Sequence, residues 1–205
     1  MIKNLIFDFG KVLVDYDFIN VMSGWFTDEE RKQRFFDCIM NPYWGERMDR
    51  EDVPFEEVIR EMQDAYPEFA EELHLFDVQY LDFVTGEVPG MKALLSNLKK
   101  QGFRLYGLTN WCSRVHSTMR QFDIFELLDG QIISSEEHLI KPDKAVYQRL
   151  FDSFGLDPAE CVFTDDKPEN VEGSIRAGMD AILFVNAEQY AQELAKRIPG
   201  LILES

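Results

Sequence analysis

Five short apolar runs constrain this chain more than any other feature: Lys3 to Phe9, Arg104 to Thr109, Gln131 to Ser134, Cys161 to Asp165 and Ala181 to Val185. Most are continuously apolar rather than alternating, which is the pattern of strands covered on both faces. Helical patterns separate the later four. "MKALLSNLKKQG" sets Leu94, Leu95 and Leu98 on one stripe and stops at Gly102, and "DKAVYQRLFDSFG" does the same with Val146, Leu150, Phe151 and Gly155. "PENVEGSIRAG" opens on Pro168 and closes on Gly178, the usual asymmetry of helix ends. Strand and helix alternating in this way predict an α/β fold, a Rossmann-like parallel sheet with right-handed crossovers.

The alternation breaks once. Residues 18–84 show no strand signal but several amphipathic helical ones. In "TDEERKQRFFDCIM", Thr27 and Glu30 are spaced as a capping box. "PFEEVIREMQDAY" has Pro54 in its first turn, and Phe69, Leu73, Phe76 and Tyr80 fall on one helical face. The expected organisation is therefore a core of residues 1–17 and 85–205, with 18–84 as an inserted small helical subdomain.

A formal charge of -17 on 205 residues argues against nucleic acid and anionic membrane as partners. Three cysteines with no metal-ligand spacing, and no signal peptide, point to a reducing cytoplasm. Cys112 reads as a packed thiol, since nothing basic adjoins it in sequence. The chain is expected to be a monomer or weak dimer.

Chemistry gathers at the strand ends. The first strand runs out on Asp8, the second on Thr109 and Asn110, and Lys141 follows the third in "LIKPD". The fourth ends in "FTDDKPEN", with Asp165, Asp166 and Asn170. In open α/β sheets the ligand site lies beyond the carboxyl ends of the strands, so these residues converge although they are distant in sequence. The set suits phosphoryl transfer. A carboxylate aimed in line at phosphorus forms an aspartyl-phosphate. The charge on the equatorial oxygens then needs Mg²⁺, a cation and oriented donors. Asp8 and Asp166 can supply carboxylates to Mg²⁺, the Gly10 carbonyl has close access, and Lys141, Thr109 and Asn110 can meet phosphate. Each element alone has a plainer reading as a turn or a helix cap. Together and in this order they favour the site. A response-regulator receiver uses the same parts, but its acidic pair comes at the first strand and here it comes at the fourth.

Over essentially its whole length the chain resembles the haloacid dehalogenase superfamily, through "DFGKV", "LTN", "IKPD" and "TDDKPEN". The resemblance implies Asp8 as nucleophile, Thr109 and Lys141 on phosphate, and Asp8, the Gly10 carbonyl and Asp166 on Mg²⁺. It also implies that Asp165 acts through metal-bound water or by orienting Lys141, and that the helical stretch is a C1 cap. The departure is Gly10, where most family phosphatases carry a second Asp that protonates the leaving oxygen and then activates water. "FDFGKVLVDYD" is most similar to the subgroup with α-glucose-1-phosphate phosphatases, which implies a sugar phosphate substrate. An anomeric oxygen leaves with less protonation, but hydrolysis of the aspartyl-phosphate would lack its base and be slow. Asp15 and Asp17 read as the start of the cap linker. Tyr43, Trp44, Glu46 and Arg47 are candidates for sugar contacts, and Trp111 either lines the cleft or starts a helix. His74, His116 and His138 show no pairing. The alternatives are a 2-haloacid dehalogenase, with Asp8 attacking carbon and no metal, and a non-catalytic phosphometabolite-binding module.

Overall fold

The computed structural model describes residues 1–202. A five-stranded sheet is built from β1 (Asn4–Phe7), β4 (Arg104–Thr109), β5 (Gly130–Ile133), β6 (Cys161–Asp165) and β7 (Asp180–Leu183), in the order β5-β4-β1-β6-β7. All four pairings are parallel. The chain thus builds outward from β1 on one side and then returns to build from its other side. That reversal lies between β1 and β6, where Phe7 stands opposite Thr164. It is the place in such a sheet where a crevice opens.

The expected strands appear with ends shifted by a residue or two, and the reason for their unbroken apolarity is visible. Along β1, Leu5 and Phe7 enter one hydrophobic cluster and Ile6 enters the other, so both faces are covered. One side carries α6 (Met91–Lys100) and α11 (Ala187–Arg197), with Leu95, Leu98, Tyr190 and Leu194 buried. The other carries α9 (Lys144–Phe154), with Val146, Tyr147, Leu150 and Phe151 buried. Two shorter helices, α7 (Val115–Gln121) and α8 (Ser134–Glu137), follow β4 and β5, and α10 (Pro168–Arg176) follows β6. Gly155 ends α9 in the left-handed conformation at φ 63, as its place in the sequence predicts.

Between β1 and β4 five helices are inserted: α1 (Phe18–Ser23), α2 (Glu29–Ile39), α3 (Pro42–Arg50), α4 (Phe55–Ala65) and α5 (Ala70–Val78). Two details differ from the sequence reading. The insert is entered and left through a short antiparallel pair, β2 (Val14–Tyr16) with β3 (Val84–Glu87), where only linkers were expected. The side chain that caps α2 is Asp28, which accepts from the Arg31 amide at 2.6 Å, rather than Thr27. Aspartate is as good a cap as threonine, and one residue of shift is all that separates them. Phe69, Leu73, Phe76 and Tyr80 are all buried as expected, although the α-helix stops at Val78 and Tyr80 sits in a 3₁₀ turn.

Candidate active site

Asp8 follows directly on β1, buried at the sheet's carboxyl edge. Its Oδ1 accepts from the Phe9 amide at 2.7 Å and lies 2.9 Å from Lys141 Nζ. Lys141 is itself buried, and an ammonium has three protons to place. Besides Asp8 it reaches Asp165 Oδ2 at 2.6 Å and the Leu108 carbonyl at 2.9 Å. The lysine therefore ties β1, β4 and β6 together at one atom. Asn110 fixes its backbone, with Oδ1 accepting from the Lys141 amide at 2.8 Å and Nδ2 donating to the Lys141 carbonyl at 3.0 Å.

Asp165 is fully buried, and its two oxygens also accept from the Lys167 amide at 2.8 Å and from Asn170 Nδ2 at 3.1 Å. With both oxygens so engaged, this carboxylate holds Lys141 in place. Of the two roles expected for Asp165, the orienting one has the direct contacts.

Carboxylate oxygens of Asp8, Asp165 and Asp166 lie within 4.8 Å of one another. Three acids around one ammonium leave an excess of negative charge in a poorly solvated place, which a cation would relieve. The acids register this strain. Burial, and to a lesser degree the charge of Asp165, pushes the Asp8 carboxyl up to about 7 against the pull of Lys141. Asp166 is likewise raised, by burial and by Asp165. Burial works against the charge on Lys141, but Asp165 and Asp8 outweigh it and raise its pKa. Among the described residues the Gly10 carbonyl accepts no hydrogen bond, so it is free to face a metal. The donor set is all oxygen, which suits Mg²⁺. Thr109 Oγ1 is buried without a partner at the end of β4, as a hydroxyl awaiting a ligand oxygen would be.

Above the acids lies a cavity of about 210 Å³, lined by Asp8, Gly10, Lys141 and Asp166 on the core side. Its remaining walls are aromatic and aliphatic, with Tyr16, Phe18, Met22, Phe55, Phe76 and Trp111. Trp111 thus lines the cleft, and the helix that follows begins only at Val115. Burial pushes the neighbouring Cys112 thiol up to about 12, in keeping with a packed residue.

Other sequence candidates fall elsewhere. Tyr43, Trp44, Glu46 and Arg47 do not line the cavity. Arg47 pairs with Glu61 at 2.8 Å and with the Tyr43 hydroxyl at 3.1 Å on the outside of the insert. Gly45, Met48 and Asp49 line it instead, at the one-turn spacing of the opposite face of α3. Asp49 was missed in the sequence, and the signal available was this helical spacing within "NPYWGERMDRED". Asp15 pairs with Lys11, and Asp17 caps α1 by accepting from the Asn20 amide at 3.0 Å. Two histidines do have partners: His116 faces Glu136 at 3.2 Å, and His138 Nδ1 lies 3.0 Å from the Arg50 carbonyl.

A model of the haloacid dehalogenase-like hydrolases matches residues 2–178. Over 106 residues the chain is 29% identical to flavin mononucleotide hydrolase 1 of Arabidopsis thaliana, covering 52% of this chain and 43% of that protein. Over 109 residues it is 30% identical to a sesquiterpene phosphatase of Aspergillus oryzae, covering 53% and 56%. The chain spans about half the length of these curated relatives. Among solved structures, a haloacid dehalogenase family enzyme of Bacteroides thetaiotaomicron, in complex with magnesium and inorganic phosphate, superposes with TM-score 0.71 at 18% identity, covering 94% of this chain and 99% of that one. L-2-haloacid dehalogenase of Xanthobacter autotrophicus superposes with TM-score 0.64 at 18% identity, covering 96% and 83%. Such distant likenesses speak for the fold. The family model, which takes in most of the length including Asp8, Thr109, Lys141, Asp165 and Asp166, speaks for descent: the chain belongs to the haloacid dehalogenase-like hydrolases.

Proposed function

We propose that the protein is a Mg²⁺-dependent phosphatase of small phosphate monoesters, working through an aspartyl-phosphate on Asp8. The observation that carries this reading is the cluster of Asp8, Asp165 and Asp166 around Lys141 at the floor of the cavity. A dehalogenase attacking carbon has no need of so much negative charge, whereas a metal-assisted transfer does. Asp8, Asp166 and the Gly10 carbonyl would hold the cation, which supplies neutralising charge to the phosphate oxygens. Lys141 keeps the Asp8 oxygen aimed and pulls its carboxyl toward the ionised form, Asp165 keeps Lys141 aimed, and the Thr109 hydroxyl donates to a phosphate oxygen. The helical insert acts as a cap that closes over the substrate.

Two observations bear on the leaving alcohol. Gly10 suits an ester whose oxygen departs easily, such as a hexose 1-phosphate. The aromatic and methionine walls suit a flat or apolar body, and two relatives are named for a flavin mononucleotide and a sesquiterpene. The test is phosphate release from a panel holding both classes, with Mg²⁺, with EDTA and with Asp8→Asn. Release that disappears on chelation and in Asp8→Asn is expected. Chloride release from 2-chloropropionate in EDTA would instead favour attack at carbon. Tight binding of an ester without release would favour a binding module.

A further inference from the structure

On the phosphatase reading, the chain lacks the acid that should protonate the leaving oxygen, and the structure shows why position 10 cannot supply it. A Cβ built on Gly10 would stand 2.7 Å from Tyr16 Cε1. The tyrosine ring occupies the side-chain space, and it is itself held by Phe18 at 5.0 Å, Trp111 at 6.3 Å and the Lys11 ammonium at 4.5 Å. Tyr16 is a poor substitute, because burial and the surrounding acids raise its hydroxyl well above the usual tyrosine range.

We propose that Asp49, carried into the cavity by the helical insert, is the proton donor and acceptor that position 10 lacks. Asp49 lines the same cavity as Asp8, Lys141 and Asp166. Among the residues lining it, Asp49 is the one carboxylate that comes from the insert. Among the described residues its side chain makes no hydrogen bond or ion pair, so its oxygens are available. The titratable groups around it come from every side: Tyr16 from β2, Tyr80 from the turn after α5, Cys112 after β4, and Lys141 and Lys167 from the core. Burial raises its carboxyl to about 6 against the pull of the two lysines, which leaves both protonation states accessible near neutrality.

Its position is built rather than incidental. The Asp49 carbonyl accepts from the Ser134 hydroxyl, which is fully buried in the core and also accepts from the Trp111 amide. Next along, Arg50 Nη1 donates to the His138 carbonyl at 3.1 Å. Glu51 Oε2 then accepts from the Ser113 amide at 2.6 Å. Three successive residues thus fasten the end of α3 to the core where Asp49 enters the site.

The steps balance. An Asp8 oxygen bonds to phosphorus, the bond from phosphorus to the alcohol oxygen breaks, and that oxygen takes the Asp49 proton. Water then attacks phosphorus and gives a proton to Asp49, releasing phosphate and restoring the Asp8 carboxylate.

The test compares wild type with Asp49→Asn by stopped flow, using p-nitrophenyl phosphate, whose phenolate leaves without a proton, and a simple alkyl phosphate. The variant is expected to give a full burst of one nitrophenolate per enzyme at the wild-type rate. Its steady turnover should then be slower by about 10²- to 10⁴-fold. With the alkyl ester its phosphorylation step itself should be slow and show no burst. Wild-type turnover of either ester by the variant would overturn the assignment, and so would loss of the aryl burst, which would make Asp49 a structural residue. If wild type itself releases no phosphate from any ester, the phosphatase reading fails and takes this inference with it.

Discussion

Whether position 10 carries an acid depends on one ring. Tyr16 packs where a side chain at Gly10 would go, so Gly10→Ala forces an aromatic ring out of a nest of neighbours. Overpacking of this kind typically costs about 1–3 kcal/mol. Trimming the ring removes the clash, so Gly10→Ala should cost much less in a Tyr16→Ala background than in wild type. Denaturant melts of the four proteins in the cycle check this, and additive losses would mean that ring and glycine do not meet. The departure at Gly10 was plain in the sequence, but its cause was not. No local pattern says that a tyrosine six residues on turns back over the glycine, because the turn between them depends on the β2–β3 pair, itself made with residues more than sixty positions away. The acids of the site were legible for the opposite reason: Asp8 and the Asp165–Asp166 pair sit at the ends of apolar runs that announce their own strands.

At the scale of elements, the insert and the core meet through hydroxyl, imidazole and carboxylate contacts at the end of α3, beside the cavity. Ser134 matters most there, since its hydroxyl serves both the Trp111 amide on the core and the Asp49 carbonyl on the insert. Ser134→Ala leaves a buried donor and an acceptor without a partner, a loss of about 1–3 kcal/mol. It should raise hydrogen exchange at the end of α3 while the strands of the sheet stay protected. Unchanged exchange at α3 would show that the fastening does not depend on this hydroxyl. The sequence hid these contacts. Helices α2, α4 and α5 were readable from their amphipathic stripes, and α6, α9 and α10 from their glycine stops. α3 was not, because its buried Trp44 and its cavity-facing Gly45, Met48 and Asp49 form two faces, neither a simple apolar stripe. His138, unremarkable in sequence, takes its role from a carbonyl 88 residues away.

For the molecule as a whole, strand order converts a linear list of residues into a site. β1 lies between β4 and β6, so Asp8 has Thr109 on one side and the Asp165–Asp166 pair on the other, and Lys141 closes the set from beyond β5. The α/β alternation predicts this convergence, since covered strands and right-handed crossovers leave few alternatives. It did not predict the cavity's upper half, whose walls come from side chains spread over the insert and the β2 strand. Among the described residues, no helix is long and apolar enough to cross a membrane. The central claim is that Asp8 carries the phosphoryl group, and the most direct measurement is acid quenching of the enzyme a few milliseconds after mixing with Mg²⁺ and ³²P-labelled p-nitrophenyl phosphate. The account predicts label on the protein that hydroxylamine releases, that maps to the peptide holding Asp8, and that accumulates further in Asp49→Asn. Labelled phosphate appearing in solution with none ever bound at Asp8 would contradict it.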